Sequence, residues 1–249
     1  MGKRAIAVAL AASACLTAAA GAQANTVTIG SQFEGAIDPV VLDGGAGTFV
    51  NTSLPAPLVA ASPTDGTAIS WRFSGEETQW TPQIVRPLGG DLYTEGGSAA
   101  PQTGTGVGNI AGPFPLDLPI KTGDHFGAAG GNFDEFGFID TPGAVHAYFV
   151  PKLEPGPGQS PVFAGDVAIQ EAISVTVRFC LVPSLQGLKP KKAKKALRAA
   201  DCTVGTKRKS KKRRKKKKVV GQSVAAGTSI SDTAPVNFKV SRRAKSKKR

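Results

Sequence analysis

Eleven of the twelve residues from Lys207 to Lys218 are lysine or arginine, and Arg242 to Arg249 adds six more. The chemistry open to Lys207, Arg208, Lys209, Lys211, Lys212, Arg213, Arg214, Lys215, Lys216, Lys217 and Lys218 is polyanion binding. Each contact would release condensed counterions, so affinity should fall steeply as salt rises. No aromatic residue interleaves the run to stack on bases, which argues against a dedicated nucleic-acid role. Adjacent like charges repel one another, so residues 207–218 are expected to form a disordered insertion and residues 243–249 a basic tail.

A second set of candidates lies earlier: His125, His146, the pair Glu76-Glu77, Asp124 beside His125, and Asp134-Glu135. A hydrolase needs a general acid and a general base converging across a substrate. Asp134, Glu135 and Asp140 sit in a Gly-rich stretch that could gather oxygens around Ca²⁺. Their spacing matches neither an EF-hand nor a repeat-type calcium loop, so no metal and no cofactor is expected. His146 falls in an alternating stretch, where a polar-face histidine is ordinary. Gly104-Thr105-Gly106-Val107-Gly108 lacks the strand and helix of a dinucleotide site, and no G-x-S-x-G or H-E-x-x-H motif is present. A non-catalytic protein is therefore expected, with a divergent glycan hydrolase or lyase using Glu76 and Glu77 as the catalytic alternative. Trp80 and Tyr93 are candidate glycan-stacking residues for a further alternative, an extracellular carbohydrate-binding protein. Trp71 alternates with Ile69 and Phe73 and reads as core.

The elements that must position these groups fall into two parts. Seven basic and 16 acidic residues lie at or before Cys180, while 24 basic and two acidic residues follow it, giving formal charges of −9 and +22. Two regions so different in charge should meet different partners. At the start, Lys3 and Arg4 precede an apolar run from Ala5 to Leu16 that is too short to span a bilayer, and small residues follow. This reads as a signal peptide over residues 1–24, with Ala22-Gln23-Ala24 the favoured cleavage motif and lipidation at Cys15 an alternative. The product is expected to be secreted, extracellular or wall-associated, and monomeric. Removing the signal also removes Cys15. An even pair, Cys180 and Cys202, then remains in an oxidising compartment, with a disulfide the default and a free or metal-binding pair the minor reading.

From residue 25 to 179, short alternating segments lie between Gly and Pro clusters: Thr26 to Ile29, Ala68 to Phe73, Gln83 to Pro87, Ala144 to Val150 and Ala172 to Phe179. The period of two in β-branched and aromatic residues predicts half-buried antiparallel strands, hence a β-sandwich or jelly-roll-like domain. Glu95 to Pro115 and Gly123 to Pro142 read as long loops.

After Cys180 the pattern changes. Val182-Pro183-Ser184-Leu185-Gln186-Gly187 precedes an eleven-residue helical stretch, Pro190 to Ala200, in which Ala193, Ala196, Leu197 and Ala200 share one face. Val204-Gly205, Gln222-Ser223-Val224-Ala225-Ala226-Gly227-Thr228 and the alternating Val236, Phe238 and Val240 follow. This order resembles the PASTA family over residues 180–242. Val224, Ala234 and Lys189-Pro190 stand where that family usually has Pro, Gly and a helix-capping Ser or Asp. The resemblance implies a small α+β module, one helix on a three-stranded sheet, that binds or rests on peptidoglycan, with the basic run adding retention on anionic wall polymers. It also places Cys180, before the opening strand, and Cys202, after the helix, at the same end of the module, which implies a Cys180–Cys202 bridge.

Overall fold

The computed structural model describes residues 25–41, 46–131, 135–165 and 168–244. The signal-peptide reading, Cys15, Asp134 and residues 245–249 of the basic tail lie outside the described residues.

The protein is mainly β, and the front part is a sandwich. One sheet has the order β1 (Thr26–Gly30), β14 (Ile173–Leu181), β4 (Gly66–Phe73), β8 (Ala111–Ile120). The facing sheet runs β12 (Phe163–Gly165), β11 (Val145–Phe149), β3 (Gly47–Ser53), β9 (His125–Gly130), β5 (Gln79–Gly89), β6 (Leu92–Ser98), with β7 (Gln102–Thr103) also paired to β5. A three-stranded sheet, β13 (Ile169–Glu171), β10 (Glu135–Asp140), β2 (Asp38–Val41), closes one end. The strand pairs within this part are antiparallel, so each strand points alternate side chains into the space between the sheets. Ile29, Trp71, Phe73, Ile120, Val175 and Val177 from one side meet Phe49, Trp80, Ile84, Phe126 and Tyr148 from the other, with Phe136 wedged between Trp80 and Phe49.

Both stretches expected as long loops contain strands. Residues 95–115 hold the end of β6, all of β7 and the start of β8, and residues 123–142 hold β9 and β10. At Gly127 and Gly130 of β9 the absence of a side chain serves close contact. An added Cβ at Gly130 would lie 2.4 Å from the Trp80 ring, and one at Gly127 would lie 2.5 Å from the Phe49 carbonyl oxygen.

The second part is one helix on a three-stranded sheet. The helix α1 (Pro190–Ala199) covers the order β15 (Thr203–Arg214), β18 (Pro235–Arg243), β16 (Val219–Gln222), in which β15 lies parallel and β16 antiparallel to β18. Ala193 and Leu197 are buried against Val219, Val236, Phe238 and Val240, with Ala196 and Ala200 packed beside them, the face that the helical spacing predicts.

The two parts share a strand. β14 runs without a break through Phe179 and Cys180 and pairs at its end with β17 (Ser229–Ser231) of the second part. A boundary just before Cys180 therefore falls inside a strand. Across it, Asp232 accepts hydrogen bonds from Thr67 Oγ1 at 2.7 Å and Arg178 Nε at 2.8 Å, and Asn25 Nδ2 donates to the Ala200 carbonyl at 3.2 Å.

Candidate functional site

The helix ends in a way that places Cys202. Asp201 adopts a left-handed φ of 51°, its N–H donates to the Arg198 carbonyl, and the Cys202 N–H donates to the Leu197 carbonyl at 2.9 Å. This paired closure of the last turn folds the chain back toward β14. Cys202 meets Cys180 there in a disulfide, with Cα atoms 4.8 Å apart.

The segments around the helix are fixed by polar side chains that the sequence motifs contain. Gln222 Oε1 accepts from the Leu185 N–H at 2.9 Å, and its Nε2 donates to the Val224 and Pro183 carbonyls, tying the opening turn to the later one. Asn237 Oδ1 accepts from both the N–H and the hydroxyl of Thr206, and Ser223 Oγ accepts from the Asn237 N–H. Gly205 is small because an added Cβ would lie 2.4 Å from Asn237 Oδ1.

The basic run departs from its expected disorder. Residues 207–214 belong to β15, and residues 216–218 are held by Ser241, whose Oγ accepts from the Lys218 N–H at 3.0 Å and donates to the Lys216 carbonyl. Ser241 N–H donates to the Lys218 carbonyl, and Ala244 N–H to that of Arg214. The physical reason lies in β18. Its alternating Val236, Phe238 and Val240 are buried under the helix, and its free edge needs a partner to satisfy its backbone groups. A strand also sends successive charges to opposite faces and lets solvent and salt screen each of them, which offsets the repulsion expected of a compact cluster.

Cross-strand partners share a face. Lys207 lies opposite Phe238, Lys209 opposite Val240 and Arg213 opposite Arg242, so these cations extend the helix-covered face beyond the helix. Arg208, opposite Lys239, lies between Lys207 and Lys209 in the strand and lines clefts on both faces. Beside the helix start are two adjoining clefts of about 420 and 570 Å³ that share Pro190, Lys217 and Arg243. A third, of about 550 Å³, lies on the other face among Arg208, Lys212, Gln222, Asn237 and Lys239. Every charged side chain lining the three is lysine or arginine, and among the described residues none of them forms an ion pair. The arrangement is a cationic surface with shaped clefts.

The front-domain candidates do not converge. Trp80 is fully buried, edge-on to Phe136 with ring centroids 4.7 Å apart, and its Nε1 donates to the Glu76 carbonyl. The glycan-stacking reading of Trp80 is therefore corrected: it is core, because its position in β5 points between the sheets. Tyr93 is half-buried and packs on Phe149 in a separate cluster on the outer side of the same sheet, so the two rings form no common platform. Glu76 and Glu77 are exposed, and Glu76 Oε2 accepts from the Glu135 N–H. Glu135 and Asp140 stand at opposite ends of β10, and among the described residues no three metal-ligating side chains come together. Asp124 is buried and held by both Arg86 Nε and Nη2 at 2.9 and 2.7 Å, while His125 Nδ1 donates to the Ala60 carbonyl.

One polar cluster was missed. His146 is buried rather than on a polar face, and its Nδ1 lies 2.6 Å from Oε1 of fully buried Glu171. Asn51 grips the Glu171 backbone on both sides, donating to its carbonyl and accepting its N–H. Glu171 lies 25 residues from His146, and no local spacing signals their meeting.

With its helix on a three-stranded sheet, a Gln-stitched opening turn and a single disulfide, the second part has the architecture that the motif order implied. Residues 181–242 match the family model described as PASTA domain, a match that indicates a binding module of the cell envelope at the C-terminus. No curated protein and no solved structure matches the chain.

Proposed function

We propose that the chain is a secreted, non-catalytic envelope protein whose PASTA domain binds peptidoglycan and whose basic strand adds electrostatic retention on anionic wall polymers. The observation that carries this reading is the coincidence of the family match with a surface on which every charged side chain lining the clefts is cationic. A buried Trp80 and scattered carboxylates favour this over a carbohydrate-binding or hydrolytic front domain. The sandwich then serves as a rigid head on the same strand that enters the module.

Co-sedimentation with purified wall stripped of its secondary anionic polymers tests the reading. The comparison is with a variant carrying glutamine at the eleven basic positions of residues 207–218, which preserves β15 where deletion would remove it. Binding by both chains that persists at high salt is the expected result for recognition, with the unchanged chain binding intact wall more tightly at low salt. Absence of sedimentation with stripped wall would overturn peptidoglycan binding. Equal binding of both chains to intact wall would overturn the electrostatic part.

A further inference from the structure

The two adjoining clefts beside the helix start have a feature that general retention does not need. Lys207 and Lys209 lie on one face of β15 with Arg242 of β18 beyond them, and Lys217 and Arg243 line both clefts, making a continuous cationic groove. Same-face positions on a strand recur at about 6.6 Å, the length of two extended residues. A linear polyol phosphodiester built on a three-carbon unit carries one backbone charge per repeat, and that repeat has the same number of backbone bonds as two residues of peptide. The Lys207–Lys209 spacing is therefore commensurate with the charge period of such a polymer, and Arg242 and Arg243 of β18 with Lys217 line the rest of the groove.

Folding stability does not explain the arrangement. The first turn of α1 has no acidic residue and no side-chain cap, and it is flanked and covered by Lys189, Lys191 and Lys192. Cations there oppose the helix dipole and weaken the helix. Such a local conflict is expected where a surface is shaped for a ligand rather than for the fold. The lining contains no aromatic residue, so bases would find no ring on which to stack, and a single-stranded nucleic acid of similar phosphate spacing gains nothing beyond its charge.

We infer that this groove is a binding site for a linear polyol phosphodiester chain, with Lys207, Lys209, Lys217, Arg242 and Arg243 as its phosphate contacts. The inference rests on the wall-retention reading and names the polymer class for which that retention is built. Because a phosphodiester stays ionised where carboxylates take up protons, binding should hold as pH falls through the carboxylate range.

The test is titration of the full chain with a synthetic glycerol-phosphate oligomer, a single-stranded oligonucleotide with the same number of phosphates, and polyglutamate of the same charge. Two charge-matched triple variants are compared, K207Q/K209Q/R242Q in the groove and K194Q/K195Q/R198Q on the exposed helix face, which lines neither cleft. The groove variant is expected to bind the glycerol-phosphate oligomer at least about tenfold more weakly and to show a salt slope shallower by about two, while the helix-face variant changes less than about threefold. Circular dichroism of both variants should be unchanged, because all six positions are exposed. Equal weakening by both variants would overturn the site. Binding of the oligonucleotide or of polyglutamate as tight as that of the glycerol-phosphate oligomer would overturn the polymer class. These titrations contain no peptidoglycan. A chain that binds the oligomer but not stripped wall therefore keeps the groove and loses the peptidoglycan reading, and the opposite result does the reverse.

Discussion

At the scale of single residues, the informative side chains are buried polar ones whose partners come from distant strands. His125 is 8% exposed, and desolvation holds its imidazole below the ordinary histidine value, against opposing hydrogen bonds to the backbone of Ala60 and Asn51. The sign of the consequence follows from proton linkage. The folded state binds this proton more weakly than the unfolded state, so the contribution of His125 to stability is complete above about pH 6.5 and is lost as pH falls through and below that value. Urea unfolding of the wild type and His125→Gln across about pH 7.5 to 5 checks this. The difference in stability between the two should change in favour of the variant as pH falls, and parallel pH profiles would show that His125 takes up its proton equally in both states.

At the scale of elements, α1 shows how one local closure serves a long-range link. The left-handed Asp201 ends the helix and turns Cys202 onto β14, so the disulfide joins the helix end to the strand that enters the module. The bridge closes a loop of 22 residues, for which loss of unfolded-state freedom is worth about 3 kcal/mol. Cys180→Ser with Cys202→Ser is expected to lower unfolding free energy by about that amount. Thermal denaturation with and without reductant measures it: reductant should destabilise the wild type and leave the double variant unchanged. The basic β15 illustrates the opposite influence of context. Its local sequence disfavours order, and it is a strand because β18 supplies a backbone partner and Ser241 fastens the turn that follows.

At the scale of the whole molecule, β14 and Asp232 couple the sandwich to the module. Asp232 is buried and receives both Thr67 and Arg178, so its removal leaves a buried hydroxyl and a guanidinium without their acceptor. Asp232→Ala is expected to cost about 2 kcal/mol. The wild type should unfold in one transition, because a continuous strand and this polar clamp join the two cores. The variant should unfold with reduced cooperativity, read as separation between tryptophan fluorescence, which reports on Trp71 and Trp80 in the sandwich, and helical circular dichroism, which reports on α1 in the module. Coincident transitions at an unchanged midpoint would show that Asp232 contributes nothing to the coupling.

Periodicity and motif order were enough for the β class of the front part, the buried face of α1 and the PASTA resemblance, because each of these rests on neighbours along the chain. Alternation at Ala68 to Phe73 and the helical spacing of Ala193 and Leu197 are local records of a buried face. Tertiary structure alone decided that Trp80 is core, that His146 meets Glu171, that Asp232 clamps two domains and that a run of lysines and arginines forms a strand beside shaped clefts. In each of those cases the deciding partner is remote in sequence, and the energy that orders the residue comes from packing or backbone pairing that the local pattern does not contain.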